Sequence, residues 1–301
     1  MPQLTWLITG CSSGLGEVFV RNILARGDRV IATARNGTER LASLKEAGAA
    51  VLDLDVTAAQ DEIDRKITEA VSIYEGGIDV LVNNAGYIEA GMVEEISHER
   101  FVQQLNTNLL GVVDTTRAIL PHFRAKKSGV VVFLGSSGGV AGEPGAGAYC
   151  ASKFALEGVF ECLRQETTSF GIQSVLFQLG FFRTKIMDPA NIKAQGDPAS
   201  AIADYTELNT IIGGFVGQMN GNQPGDPEKA VKIMIDVVKG EGVAEGKEIP
   251  ERLPLGPDVL GKIRDKYTKY LEFCTEWENV IASTDIEGDD KGSMRTVVKL
   301  E

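Results

Sequence analysis

Trp6-Leu7-Ile8-Thr9-Gly10-Cys11-Ser12-Ser13-Gly14-Leu15-Gly16 is the stretch on which the fold turns. Trp6–Thr9 is a short apolar run without polar alternation. Such a run belongs to a strand covered on both faces. Glycines 10, 14 and 16 then break the extended backbone. From Leu15 to Ala25 the apolar residues fall at helical spacing, so a helix begins on the last glycines. A strand, a bare tight turn and a helix N-terminus in succession make a seat for an anion. The missing side chains let the backbone approach closely, and the first helical N–H groups have no partner within the helix.

Outward from this unit the same alternation recurs. Further apolar runs are expected as strands at Val30–Ala34, Val51–Leu54, Val80–Val82, Val130–Leu134 and Ser174–Gln178. Helical periodicity lies between them at about 15–25, 60–74, 101–123 and 151–168, then at 228–238 and 259–280. Strand–helix alternation with continuous apolar strands predicts an α/β fold, a Rossmann-type doubly wound parallel sheet. One domain is expected over residues 1–282, with a polar C-terminal tail at 283–301. The rhythm breaks at 188–227. There Asp188-Pro189, Asp197-Pro198, Gly213-Gly214 and Pro224-Gly225 punctuate the chain. That interval is expected to be a lid inserted over the site.

Composition narrows the function. The 301 residues are 43% hydrophobic and 24% charged, the balance of an ordinary globular chain. The formal net charge of -12, with no basic cluster, speaks against nucleic acid as a partner. No apolar run reaches the length of a membrane span, and Met1–Gly10 has no basic segment of a secretory leader. Cys11, Cys150, Cys162 and Cys274 lack CxxC spacing, so reduced thiols and a cytoplasmic location are expected. Two isolated histidines, His98 and His122, do not make a metal site, and none is expected.

Two further places carry chemistry. The second strand ends Thr33-Ala34-Arg35-Asn36, without the acid that would bind a ribose 2′-hydroxyl. Arg35 suits a 2′-phosphate instead, and Ser12 can add a hydroxyl, so the dinucleotide expected in the glycine turn is NADP(H). Tyr149 and Lys153 stand four apart, on one face of a helix. A nearby ammonium favours the phenolate and brings tyrosine toward a working range. Ser136 lies thirteen positions earlier, after the fifth strand, at the carboxyl end of the sheet where α/β folds bind ligands. Ser137 is adjacent, and spacing alone does not choose between them.

Together these residues resemble the short-chain dehydrogenase/reductase family, over about residues 4–187 and more loosely beyond. Thr9-Gly10-x-x-x-Gly14-x-Gly16 is similar to its cofactor loop. Asn83-Asn84-Ala85-Gly86 is similar to its motif after the fourth strand, and Asn108 to its helical asparagine. Ser136, Tyr149 and Lys153 match its remaining catalytic positions. The resemblance implies that Tyr149 is the general acid for ketone reduction and the base for alcohol oxidation. It implies that Lys153 holds the nicotinamide ribose and lowers the tyrosine pKa, that Ser136 polarises the carbonyl, and that Asn108 supports a water-linked proton relay. It further implies cofactor contacts from Gly10, Ser12, Ser13, Gly14, Leu15, Gly16, Arg35, Asp55, Asn84, Phe182 and Thr184. Where the family has Pro-Gly-x-x-x-Thr after the sixth strand, this chain has Leu179-Gly180-Phe181-Phe182-Arg183-Thr184. Leu179 gives up the fixed φ of proline.

The expected activity is therefore hydride exchange between NADP(H) and a carbonyl or secondary alcohol of a small substrate. Reduction is the expected direction, because cells generally keep NADP reduced. Ile202, Tyr205, Leu208 and Ile212 sit near helical spacing in the lid interval. They either cover their own core or line an apolar substrate pocket. Two other functions compete: a non-redox dehydratase or cyclase on the same fold, and an NADP-binding sensor without turnover. A sensor has no need of Asn108, Ser136, Tyr149 and Lys153 together. The helices near 101–123 and 151–168 resemble those that pair subunits in the family, so a homo-oligomer is expected.

Overall fold

The computed structural model describes residues 2–188, 191–192 and 201–284. The expected tail beyond Thr284 and part of the lid interval lie outside the described residues. Seven strands form one parallel sheet: β1 (Thr5–Ile8), β2 (Arg29–Ala34), β3 (Ala50–Asp53), β4 (Val80–Asn83), β5 (Gly129–Leu134), β6 (Ile172–Leu179) and β7 (Arg252–Leu255). Their order across the sheet is β3-β2-β1-β4-β5-β6-β7. The chain winds one way from β1 to β3, then crosses back to β4. The order therefore reverses between β1 and β4, the place where an open α/β sheet leaves a crevice at its carboxyl edge.

The helices are α1 (Gly14–Ala25), α2 (Gly37–Arg40), α3 (Ala42–Glu46), α4 (Gln60–Val71), α5 (His98–Leu105), α6 (Gly111–Lys126), α7 (Gly147–Thr167), α8 (Thr206–Met219), α9 (Pro227–Lys239), α10 (Pro257–Glu276) and α11 (Glu278–Ala282). Side chains alternate across a strand, so each strand feeds two cores. Trp6, Ile8, Val80 and Val82 face Phe19, Ile23, Val231 and Met234 of α1 and α9. Leu7, Leu81, Val131 and Phe133 face Ile63 of α4, Ile119 of α6 and Phe160 of α7. Burial on both faces explains why the strands read as continuous apolar runs.

The structure departs from the sequence expectation in several places, among them the short helices α2 and α3 and the division of the helix expected over 259–280 into α10 and α11; two departures shape the framework of the site. The single helix expected over 101–123 is α5 and α6 joined by a π-helical turn, Asn106–Leu110. The other is β7, which carries Pro254. Proline cannot donate to a ladder, but β7 is the edge strand and pairs only with β6, so the missing N–H costs nothing there.

A buried ion pair ties the two ends of this framework. Asp28 accepts from Leu4 N at 3.1 Å, Trp6 Nε1 at 3.2 Å and Lys239 Nζ at 2.8 Å. The Asp28 and Lys239 side chains are only 2% and 7% exposed. Removing one partner strands a buried charge. Asp28→Ala should therefore lower the unfolding free energy by about 3–5 kcal/mol, measured by urea denaturation. A shift below about 1 kcal/mol would show that the pair is exposed in solution.

Candidate active site

At the carboxyl edge of the sheet lies a cavity of about 440 Å³. The loops after β1, β2, β4, β5 and β6 all reach it. Gly10, Ser12, Ser13, Gly14, Leu15, Arg35, Asp55, Asn84, Asn108, Ser136, Tyr149, Lys153, Phe182 and Thr184 line it. Of the residues expected to meet a cofactor, Gly16 alone stands outside this lining. It is buried beneath the loop, where an added Cβ would fall 2.5 Å from Gly10 O and 2.6 Å from Asn84 Nδ2. Gly16 therefore serves the close packing of α1 on the loop.

The glycine loop is held from below. Gly10 has φ +71, and a Cβ there would come 2.8 Å from Ala85 Cα. Thr9 Oγ1 accepts from Asn84 N and from Ala85 N, each at 3.0 Å. Asn84 Nδ2 returns the contact, donating to Thr9 O at 2.7 Å and Gly10 O at 3.0 Å. Asn84 thus braces the loop after β1 while lining the cavity. Ser13, at the N-cap of α1, makes no side-chain cap. The first N–H groups of α1 are left to face an anion.

The far end of the cavity is set by the loops after β2 and β3. Arg35 closes β2, and Arg40, at the end of α2, also lines the cavity. Arg40 was not expected from the sequence. Its only clue was a second cation five residues after Arg35, and nothing in that spacing says that the short helix α2 turns it back. Asp55 Oδ1 accepts from Thr57 N at 2.9 Å and Thr57 Oγ1 at 2.8 Å, fixing the turn after β3.

Ser136 follows β5 and caps a short 3-10 turn, accepting from Gly138 N at 3.0 Å. Its neighbour Ser137 instead donates to Glu143 Oε1 at 3.3 Å. Tyr149 and Lys153 project from the first turns of α7, with Lys153 Nζ 5.8 Å from the Tyr149 ring centre. Lys153 is buried and donates to Leu134 O at 2.7 Å. Burial pushes the Tyr149 phenol up to about 12, against the hydrogen bond with Ser136, which pulls it down; Cys150 and Glu143 add to the rise. Burial also brings Lys153 down to about 8, with Glu157 opposing. Desolvation thus outweighs the Ser136 hydrogen bond, the expected lowering by Lys153 is not among the influences on the phenol, and the phenol is held protonated at neutral pH.

Asn108 is presented by the π turn. Its Oδ1 accepts from Tyr87 N at 3.1 Å and its Nδ2 donates to Tyr87 O at 3.0 Å. Both ends of the amide are engaged in shaping the wall that carries Tyr87 and Ile88. Among the described contacts, α8 reaches the cavity wall only through Phe181, which lines the cavity. Phe215 packs edge-on against Phe181 with ring centres 6.0 Å apart. Tyr205 Oη donates to Glu94 Oε2 at 2.9 Å. Leu208, Ile211 and Phe215 remain 38%, 61% and 48% exposed, and no residue of α8 is buried. Of the two readings of this segment neither is met: no residue of α8 is buried in a core, and Ile202, Tyr205, Leu208 and Ile212 are not in the cavity lining. Cys150 is buried and packs near Gly138 outside the cavity lining.

An uncapped helix start, a proton donor beside a second hydroxyl, and a buried amine in one cavity suit acid–base work on a substrate next to a bound phosphate ester. Comparison with known proteins agrees. The family model described as short chain dehydrogenase matches residues 5–195. The chain is 38% identical over 266 residues to the oxidoreductase BOA17 of Botryotinia fuckeliana, covering 85% of this chain and 89% of that protein. It is 38% identical over 191 residues to the 3-ketodihydrosphingosine reductase of Bacteroides thetaiotaomicron, covering 64% and 68%. A solved short-chain dehydrogenase from Streptomyces avermitilis superposes with a TM-score of 0.80 at 34% identity, covering 94% of this chain and 98% of that one. With the parallel seven-stranded sheet and the match across most of it, the chain belongs to the short-chain dehydrogenase/reductase family of oxidoreductases.

Proposed function

We propose that the chain is an NADP(H)-dependent oxidoreductase that moves a hydride between the nicotinamide and the carbonyl or secondary alcohol of a small apolar substrate. The observation that carries this reading is that Ser136, Tyr149 and Lys153 line the same cavity as the glycine loop and Arg35. The residues fit the cofactor. The uncapped start of α1 suits a pyrophosphate, and Gly14, at φ +61, leaves the floor open toward Thr184. Arg35 and Arg40 suit a 2′-phosphate, with no acid at the end of β2 to repel it.

When bound, the nicotinamide supplies or accepts the hydride. The chain's own groups handle the proton. Tyr149 Oη gives its proton to the substrate oxygen as negative charge builds there. Ser136 Oγ accepts from Gly138 N, and its O–H, which hydrogen-bonds Tyr149, would turn to the same substrate oxygen. Lys153 donates one hydrogen to Leu134 O and has others for the ribose hydroxyls. Because the Asn108 amide is engaged with Tyr87, a water-linked relay at this position runs through its backbone carbonyl in the π turn. With its pKa pushed up to about 12 the phenol carries its proton at neutral pH, the form that ketone reduction uses; the direction follows from the NADP pool, which cells generally keep reduced. Phe181, Phe182, Ile186 and Met187 make the substrate side apolar. A ketone reductase by name among the relatives supports the same substrate class.

Two experiments test this reading. Tyr149→Phe should lower NADPH-dependent turnover of an apolar ketone by about 10²–10⁴-fold and leave NADPH binding intact. Full activity in that variant would rule out Tyr149 as the acid. Arg35→Asp should cut kcat/KM with NADPH by about ten- to a hundredfold relative to NADH, and Arg40→Ala by less, since each removes a charge-assisted contact. An unchanged NADPH/NADH ratio in both variants would show that neither cation reads the 2′-phosphate.

A further inference from the structure

We propose that Asp258 is a positioning residue for the nicotinamide end of the cofactor, clamping the loop Gly180–Thr184 from the start of the C-terminal helix. The proposal rests on the cofactor reading given above. Phe181, Phe182 and Thr184 line the cavity and Asp258 does not, so its effect runs through the loop.

An acid in the first turn of a helix ordinarily serves that helix's own free N–H groups. Asp258 sits in the first turn of α10, yet the helix has Gly256 at its N-cap and no side-chain cap there. The Asp258 carboxylate reaches across to the strand end instead. Its Oδ2 accepts from Phe181 N at 2.8 Å. Two bare positions seat it. A Cβ on Gly180 would collide with both carboxylate oxygens, and one on Gly256, at φ +115, would collide with Oδ1. Neither glycine could carry a side chain with the carboxylate in this place.

The rest of the loop is held mainly by backbone, with Arg183 Nε donating to Gln223 O at 3.1 Å and Gln223 Nε2 to Thr184 O at 3.4 Å. Gly180 N donates to Leu255 O at 2.9 Å, Gly225 N to Phe181 O at 2.9 Å, and Arg183 N to Gly225 O at 2.9 Å. Asp258 therefore supplies the one side-chain acceptor for Phe181 N among the described contacts. It acts next to Leu179, where the family's proline would have fixed φ. In this chain a hydrogen-bonded clamp from 77 residues downstream takes over the restraint that a ring would supply locally. The clamp also sets the Phe181 ring, which faces Phe215 of α8 and lies 5.5 Å from Lys262 Nζ.

Calorimetric titration of the full chain tests this with two probes, NADPH and adenosine 2′,5′-bisphosphate, which lacks the nicotinamide half. Asp258→Ala should weaken NADPH by about tenfold, the loss of one hydrogen bond to a charged acceptor, and leave the bisphosphate within about twofold. Asp258→Asn, which keeps an acceptor of the same size, should restore NADPH to within about threefold of wild type. Gly180→Ala, which pushes the carboxylate off its seat, should reproduce the selective loss. Equal weakening of both probes, or unchanged NADPH affinity in Asp258→Ala, overturns the proposal. Wild-type protein that binds neither probe overturns the cofactor reading itself, and the proposal with it.

Discussion

The clasp between Thr9 and Asn84 is the contact on which the rest of the site depends. β1 and β4 are neighbours in the sheet, and the chain order reverses between them. Their carboxyl ends have no further strand residues to pair. One hydroxyl accepting two N–H groups and one amide donating to two carbonyls replace the ladder there. The glycine loop is thereby fixed to the framework at its base and left bare at its top. A loop rich in glycine has the most backbone freedom to lose, so an anion seat built from it needs such an anchor. Gly16 completes the arrangement by letting α1 press against Gly10 and Asn84 without a side chain between them.

From that anchored edge the chemistry is a matter of which groups are desolvated. β5 delivers Ser136, and α7 delivers Tyr149 and Lys153, to one wall of the cavity. Burial drives the phenol and the amine toward their neutral forms. For tyrosine this keeps in place the proton that the proposed function has it transfer. For lysine it makes the Leu134 carbonyl a needed partner. The hydroxyl of Ser136 is oriented by Gly138 N, so the two proton-bearing oxygens stand together without competing for the same donor.

Most of the fold was legible because buried parallel strands and amphipathic helices write themselves as local patterns. The first six strands and the principal helices fall where the apolar runs and the helical spacing put them, to within a few residues. The glycine loop, Tyr149 and Lys153 were legible because each sits at a fixed offset from a strand end or a helix start, whereas the choice of Ser136 over Ser137 came from the family resemblance and not from spacing. Other features left no such trace. Pro254 hides β7, since proline argues against a strand unless the strand is known to lie at an edge. The π turn at Asn106–Leu110 is one extra residue per turn within an apolar pattern that reads as continuous helix. Arg40 and Asp258 depend on where distant loops return, and no periodicity encodes that. Asn84 itself was named by its motif, but its contacts with Thr9 and Gly10, which span 75 and 74 residues, were not.

The central claim is that a hydride passes directly between NADPH and a carbonyl carbon at the wall formed by Ser136 and Tyr149. The measurement that meets it most directly is turnover of an apolar ketone with NADPH carrying deuterium at the transferring carbon of the nicotinamide, with the product alcohol read by mass spectrometry. The account predicts an alcohol with one deuterium on its carbinol carbon. An alcohol without the label, or bound NADPH with no alcohol formed across ketones, aldehydes and quinones, would contradict it.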